Sequence, residues 1–259
     1  MIPKTIHYCW FGHASMPVLA KRCMASWRKY CPDYEIIEWN EDNYDIESAP
    51  LYVRQAYEKG KWAFVTDYVR LWVVWNQGGV YLDTDVELIK PLDSFLSYSA
   101  FFGFEDNNLI ATGLGFGAEK GSSVLQMLMN DYANIPFVLP DGSLDLLSCP
   151  HRNTKTLTSL AHKQENRFQV LPENIAFFPT SVFCPLSYFT GEKNITSDTV
   201  SIHWYSASWL PKQQRKKHER SIRKNRILRP IKDAIKIVFG ERISGVLKII
   251  VYGKKDDNK

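Results

Sequence analysis

Apolar residues recur with two different periods along the first 90 residues of the chain. Short runs rich in β-branched and aromatic residues, each closed by a turn signal, predict strands, and longer stretches with apolar residues three or four apart predict helices. The predicted strands cover residues 2–11, 34–39 and 80–89, and the predicted helices cover residues 19–30, 50–59 and 61–77. The last helix is apolar on almost every face and is followed by Gly78 and Gly79, so we expect it to be buried.

The pattern weakens after residue 90, where the predicted elements are shorter. Strand-like stretches cover residues 100–104, 111–117, 167–171 and 200–204, and one further helix covers residues 122–133. Because strands and helices alternate through residue 90, we predict an α/β fold with a mostly parallel central sheet. Ligands of such sheets bind beyond the carboxyl ends of the strands, which directs attention to the strand ends near Trp10, Asn40 and Asp83.

The composition is that of an ordinary globular protein, since 45% of the 259 residues are hydrophobic and 23% are charged. These values argue against a disordered, collagenous or repeat-built chain. No run of apolar residues is long enough to predict a membrane span, and the first residues lack the apolar stretch of a secretory signal. The five cysteines are an odd number without Cys-x-x-Cys spacing, which argues against a disulfide framework or a zinc ribbon and favours a reducing, cytoplasmic environment.

Charge is distributed unevenly along the chain. Residues 210–259 contain 16 Lys or Arg and 5 Asp or Glu, a formal charge of +11. Because the net charge of the whole chain is +4, residues 1–209 have a formal charge of −7. We therefore predict two parts, an acidic catalytic or binding domain over residues 1–209 and a basic, helical tail over residues 210–259.

The tail combines a cationic run at 212–229 with apolar residues at helical spacing. This apolar stripe consists of Ile243, Val246, Leu247, Ile250 and Val251. The pattern is typical of an amphipathic helix on an anionic membrane surface, and equally of a helix that packs on the catalytic domain. Aromatic residues are scarce in the cationic run, so nucleic acid is not an expected partner.

Two carboxylates, those of Asp83 and Asp85, flank Thr84 within the predicted strand 80–89. Alternation along a strand would point both carboxylates to one face, where two oxygen ligands suit Mg²⁺ or Mn²⁺, and the ion can bind a diphosphate. Taken alone, an Asp-x-Asp triplet is more often a solvated strand end.

A second group of charges lies on the preceding helix, where Asp67 and Arg70 are three residues apart and share a face. Such a pair is commonly a surface ion pair with a small effect on stability. The helix around this pair is too apolar to lie on the surface, and buried charges concentrate at functional sites.

The stretch from Phe64 to Asp85, together with Ile6 to Gly12, resembles bacterial glycosyltransferases of family 32. These enzymes carry a sugar-binding region with a DXD motif and are often encoded for capsular or other surface polysaccharides. More distantly, the chain is similar to the glucosylating domains of large clostridial toxins. The resemblance covers residues 2–209, and it implies a GT-A type nucleotide-sugar-binding fold, a UDP-sugar donor and Mn²⁺ or Mg²⁺ as cofactor.

The resemblance also implies which residues form the site. The implied donor-binding residues are Trp10, Asn40, Thr66, Asp67, Arg70, Tyr81, Asp83, Thr112, Gly113, Ser208 and Trp209. The implied metal ligands are Asp83, Asp85 and His203, and the implied catalytic residues are Asp67, Arg70, Asp83 and Asp85.

Several of these residues have an ordinary structural explanation that stays open at this point. Trp10, which the resemblance places on the nucleotide base, could equally pack in the core. Asn40, placed on the uridine, could be a turn residue, and His203 could be a core histidine at a strand end. The alternating glycines around Gly113 could mark a bulged strand as well as a sugar contact.

We therefore predict a metal-dependent, retaining hexosyltransferase that uses a UDP-sugar donor and a saccharide acceptor, the latter lipid-linked, in surface polysaccharide synthesis. We expect it in the cytoplasm, peripheral on the inner face of the plasma membrane. Two alternatives remain open: a non-catalytic module that binds sugar nucleotides or glycans, and a metal-dependent phosphoryl-transfer enzyme that uses the same aspartates.

Overall fold

The computed structural model of the chain describes residues 1–160 and 164–206, together with isolated positions between 213 and 223. One compact unit is formed by Met1–Ser187 and Lys193–Trp209, and all the candidate site residues discussed below belong to it. The apolar stripe of the predicted tail helix, as well as Ser208 and Trp209, lie outside the described residues. The domain boundary at residue 209 therefore stays a prediction.

The elements of the first half follow the predicted order closely. They are β1 (Thr5–Cys9), α1 (Val18–Tyr30), β2 (Glu35–Trp39), α2 (Leu51–Glu58), α3 (Trp62–Gln77), β3 (Gly79–Tyr81) and β4 (Val86–Leu88). The elements of the second half are β5 (Ala100–Glu105), β6 (Leu109–Ile110), β7 (Phe116–Ala118), α4 (Ser123–Ala133), α5 (Cys149–Leu157), β8 (Gln169–Leu171), β9 (Ile175–Phe178), α6 (Thr180–Phe183) and β10 (Ser201–His203). Four of these elements, β6, α5, β9 and α6, lack a counterpart in the sequence prediction.

The central sheet has the strand order β2-β1-β3-β7-β5-β9-β8, with β6 paired to β5. Strands β2, β1 and β3 are parallel, and β5 is parallel to β9. Because β7 is antiparallel to both β3 and β5, the strands on either side of β7 run in the same direction. Five of the seven strands in this order therefore share one direction, and the predicted α/β class with a mostly parallel sheet is confirmed.

Apolar residues cover both faces of this sheet. Along β5, Phe102 and Phe104 belong to one hydrophobic cluster, whereas Phe101 belongs to the other. Successive strand residues point to opposite faces, so this alternation places one cluster on each side of the sheet. Burial on both faces explains why the strands read as almost continuous apolar runs.

Helix α3 is buried, as predicted, and it ends at a glycine. Gly78 has a φ of 72°, a left-handed conformation that favours glycine, and its N–H donates to the carbonyl oxygen of Val74. The chain then enters β3 directly. This short connection fixes the distance between the charged residues of α3 and the residues that follow β3.

The prediction of one strand over residues 80–89 is wrong. β3 ends at Tyr81, and β4 belongs to a separate two-stranded sheet with β10. Asp83 and Asp85 lie in the turn between β3 and β4, where the N–H of Val86 donates to the carbonyl oxygen of Asp83 at 2.9 Å. Local sequence cannot show this break, since it depends on β4 pairing with a strand more than 100 residues away.

None of the described helices is both long and apolar enough to cross a membrane. All five cysteines are free thiols and buried.

Candidate active site

The predicted strand ends meet at one edge of the sheet. Cys9 pairs with Trp39 at the ends of β1 and β2, and His7 pairs with Tyr81 of β3. Trp10, Asn40 and Asp83, which follow these strands, therefore lie along the carboxyl edge, as the sequence predicts.

The two-stranded sheet brings His203 to the acidic turn. In the pairing of β4 with β10, His203 lies opposite Val86, next to Asp85. One ligand atom from each of Asp83, Asp85 and His203 lies within 4.8 Å of the others. The structure thus brings together the three residues that were predicted to bind a metal.

Asp85 is held tightly by the segment that follows β10. Its Oδ1 lies 3.2 Å from His203 Nε2, its Oδ2 accepts the backbone N–H of Ser206 at 2.7 Å, and its carbonyl oxygen accepts the N–H of Trp204. Burial alone would raise the pKa of Asp85, but His203 and the Ser206 N–H outweigh it and hold this pKa below its usual range. For His203 burial would lower the pKa, and the nearby carboxylates raise it instead.

The residues present fit a divalent cation. Two carboxylates and an imidazole are a donor set suited to such an ion, and three protein ligands leave positions for diphosphate oxygens and water. His203 Nδ1 is buried and has no hydrogen-bond partner among the described residues. Gly113 makes room at this place, because a Cβ there would lie 2.5 Å from Asp83 Oδ2.

A buried arginine joins the acidic turn to helix α3. Arg70 is 4% exposed, and its Nη2 lies 3.1 Å from Asp67 Oδ1 and 3.5 Å from Asp83 Oδ1. Asp83 Oδ1 also accepts the hydroxyl of Tyr81 at 2.9 Å. The alternative of a surface ion pair between Asp67 and Arg70 is therefore wrong, since both side chains are buried. Arg70 also contacts Asp83, one of the predicted metal ligands.

Burial raises the pKa of Asp67 to about 6. Arg70 opposes the effect of burial, and the charge of Asp83 adds to it. At neutral pH Asp67 is therefore ionised although its buried surroundings favour the protonated form. A carboxyl group whose pKa is shifted in this way is typical of functional sites.

Replacing Asp67 by asparagine is expected to stabilise the metal-free protein at neutral pH and to reduce its activity. The folded-state pKa of about 6 lies above the usual value of 3.8, so the free energy of unfolding of the wild type falls as the pH rises between these values. The variant lacks this decrease and should gain on the order of 1–3 kcal/mol above about pH 7. Urea denaturation of both proteins over this pH range measures the difference, and a difference independent of pH would contradict the buried, raised carboxyl.

The two threonines predicted in the donor site use their hydroxyl groups inside the protein. Thr66 donates to the carbonyl oxygen of Ala63 at 2.8 Å, and Arg70 Nη2 lies 3.4 Å from the same hydroxyl. Thr112 is fully buried and accepts the side-chain amide of Asn153 at 3.0 Å. Their contacts to a sugar stay predictions, whereas their contacts to Arg70 and α5 are part of the structure.

The two residues predicted on the nucleoside side lie at the edge described above. Trp10 is partly buried, and its ring N–H donates to the carbonyl oxygen of Ala14 at 2.6 Å. Asn40 donates to Glu38 through its amide and accepts the N–H of Asp42 through its Oδ1. Asn40 therefore stabilises the turn after β2, and its contact with a uridine stays a prediction.

Sequence reasoning missed several polar groups of this site. Cys149 and Asn153 of α5 contact Arg70 and Thr112, respectively, and Glu105 ends β5 with a pKa that burial raises to about 7. The start of α5 had a signal, because Ser148 followed by Cys149-Pro150 is a helix-initiating pattern. Glu105 had none, since a single carboxylate at the end of an aromatic strand does not stand out.

A model of the family described as "Glycosyltransferase sugar-binding region containing DXD motif" matches residues 17–102 of this chain. The matched region contains Asp67, Arg70, Asp83 and Asp85. It ends before Thr112 and His203, which the fold adds to the site.

Two curated proteins are similar to parts of the chain. Subversion of eukaryotic traffic protein A of Legionella pneumophila is 26% identical over 160 residues, which cover 49% of this chain and 24% of that protein. Inositol phosphoceramide mannosyltransferase 3 of Schizosaccharomyces pombe is 26% identical over 140 residues, which cover 52% of this chain and 38% of that protein. The chain thus spans well under half the length of either relative.

Two solved structures show a looser likeness. PaToxG glycosyltransferase is 18% identical with a TM-score of 0.49, covering 61% of this chain and 68% of that one. A glycosyltransferase involved in glycosylation of the major capsid of PBCV-1 is 15% identical with a TM-score of 0.43, covering 82% of this chain and 98% of that one. TM-scores below 0.5 add little to what the sheet topology and the family model establish. Residues 17–102 of the chain therefore match the DXD-containing sugar-binding region of glycosyltransferases, and they lie within an α/β fold whose central sheet is mostly parallel.

Proposed function

We propose that this protein is a metal-dependent glycosyltransferase that moves a hexose from a UDP-sugar to a saccharide acceptor with retention of configuration. The observation that carries the proposal is the convergence of Asp83, Asp85 and His203 within 4.8 Å, in the DXD region and beside the buried Arg70. A solvated strand end would leave the two aspartates exposed and without these partners.

The residues of the site suit the departure of a diphosphate from an activated sugar. When bound, a divalent cation would neutralise the negative charge that develops on the diphosphate. Asp83, Asp85 and His203 would hold that ion. The guanidinium of Arg70 lies 3.5 Å from Asp83 Oδ1 and orients this carboxylate. The carboxylate of Asp67 lies on the same buried guanidinium. It would supply negative charge near the anomeric carbon as that carbon becomes positive.

The acceptor and the place of action belong to the same proposal. One curated relative is named as a mannosyltransferase of inositol phosphoceramide, which is a lipid. The sequence itself adds a cationic run at 212–229 that suits an anionic membrane surface. We therefore include a lipid-linked saccharide acceptor, surface polysaccharide synthesis and work at the inner face of the plasma membrane.

A donor panel tests the proposal. UDP-glucose, UDP-galactose, their N-acetylated relatives and GDP-mannose are each added with Mn²⁺, with Mg²⁺ or with a chelator. We expect one UDP-hexose to raise the melting temperature, and to do so only when a divalent ion is present. The shift should be easy to measure, because a ligand at about 100 times its Kd stabilises a protein by about 2.7 kcal/mol. Mass analysis should then show free UDP and a hexose transferred to water or to an added acceptor. If the acceptor is lipid-linked, the glycosylated product should partition into organic solvent.

The other outcomes identify the alternatives. Release of UMP and hexose-1-phosphate would indicate phosphoryl transfer, and binding without turnover would indicate a non-catalytic module. Turnover of GDP-mannose alone would replace the UDP-hexose donor by the one that the name of the fission yeast relative suggests.

A further inference from the structure

Helix α5 buries polar side chains beside a single leucine, Leu157. Cys149, Asn153 and Thr154 are buried on the side that faces the body of the domain. A helix at the edge of a domain normally turns its apolar residues inward. Buried polar groups need hydrogen-bond partners, and the partners of these three residues lie in or next to the candidate active site.

Cys149 contacts two residues that the sequence predicts in the donor site, Arg70 and Thr112. Its sulfur lies 3.8 Å from Arg70 Nη1 and 3.7 Å from the hydroxyl oxygen of Thr112. Asp67 lies on the same guanidinium, with its Oδ1 3.1 Å from Arg70 Nη2. One sulfur thus connects helix α3 to the segment that follows β6.

The rest of α5 fixes the same segment. One helical turn after Cys149, the amide of Asn153 donates to the Thr112 hydroxyl at 3.0 Å. Thr154 Oγ1 accepts the N–H of Ile110 at 2.8 Å. The anchored segment continues into Gly113, which lies against the carboxylate of Asp83.

The thiol of Cys149 is a neutral group. Burial and the charge of Asp67 raise its pKa well above the usual value, so it is neither a thiolate nucleophile nor a redox-reactive cysteine at neutral pH. A neutral thiol can donate one hydrogen bond and accept others, which suits a position between the guanidinium of Arg70 and the hydroxyl of Thr112. The thiol therefore orients the side chains that it contacts and does not itself react.

We propose that Cys149 is a positioning residue of the donor-sugar site, which orients Arg70, and through it Asp67, toward the hexose by the contacts of its thiol with Arg70 and Thr112. Asn153 supports it through Thr112. The inference rests on the proposed function, because it assigns the sugar rather than the nucleotide to this side of the site. It places the specificity for the hexose partly on a helix outside the DXD region.

The test compares binding of UDP with binding of UDP-glucose and UDP-galactose in the presence of Mn²⁺. We expect Cys149→Ala to weaken binding of the preferred UDP-hexose about tenfold, equivalent to about 1.4 kcal/mol, and to leave binding of UDP unchanged. Cys149→Ser, which keeps a donor and an acceptor, should recover most of this loss. The matched control is Cys31→Ala, which removes a buried cysteine remote from the site and should change neither affinity.

Two results would overturn the inference. One is a Cys149→Ala variant that binds the UDP-hexose as tightly as Cys31→Ala does, and the other is a loss that is equal for UDP and UDP-hexose, as expected from a general structural role. If Cys149→Ala does not fold, Asn153→Ala serves instead and should show the same selective loss. A wild-type protein that binds no UDP-hexose with Mn²⁺ would instead refute the proposed function.

Discussion

Replacing Asp85 by asparagine is expected to reduce metal-dependent sugar transfer at least about 1,000-fold, equivalent to about 4 kcal/mol of transition-state stabilisation. The variant removes one of two carboxylates from the candidate metal ligands. It also removes the charge that holds His203 next to the turn. The amide oxygen can still accept the N–H of Ser206, so we expect the fold to remain intact.

The measurement combines activity with thermal stability. Turnover of the preferred UDP-hexose is followed against Mn²⁺ concentration, and the melting temperature is recorded with and without Mn²⁺ and UDP. Asp33→Asn, which changes an exposed carboxylate paired with Lys4, is the control and should behave as wild type. Near-normal turnover by the Asp85 variant at low Mn²⁺ would show that this carboxylate does not hold the ion.

Replacing Arg70 by alanine is expected to abolish transfer and to lower the free energy of unfolding by about 3–5 kcal/mol. The guanidinium is 4% exposed and is shared by the carboxylates of Asp67 and Asp83. Without it the buried carboxylate of Asp67 and the half-buried carboxylate of Asp83 would lose the cation that they share. Urea denaturation without metal measures this effect.

Two comparisons identify the origin of the loss. Arg167→Ala removes an exposed partner of Glu165 and should change stability by less than about 1 kcal/mol. The double variant Arg70→Ala, Asp67→Asn should regain part of the stability, because one uncompensated charge is removed with its partner. A loss of stability below about 1 kcal/mol for Arg70→Ala would mean that solvent screens these charges. That result would contradict the account of Arg70 as a buried partner of Asp67 and Asp83.

The sequence predicts most of the first half of the fold because local patterns determine it. Helix α3 is apolar on nearly all sides and ends at Gly78, so both its burial and its end are visible in the chain. The turn that carries Asp83 and Asp85 is not visible. Its geometry depends on the pairing of β4 with β10, and such long-range pairing leaves no local signature.

The candidate site divides in the same way. Asp67, Arg70, Asp83 and Asp85 could be predicted because they lie close together in a recognisable motif. In the structure Asp67 and Asp83 share the guanidinium of Arg70, and Asp85 pairs with His203. Cys149 could not, since α5 is held by polar contacts and therefore lacks the apolar period that identifies a helix.

Anomalous scattering at the manganese absorption edge, from crystals grown with Mn²⁺ and UDP, locates the ion on which this proposal depends. We expect one strong peak within coordination distance of Asp83, Asp85 and His203, with the diphosphate of UDP bound to the same ion. A peak elsewhere on the protein, or UDP bound at this edge of the sheet with no ion between it and the two aspartates, would contradict the proposed metal-dependent transfer.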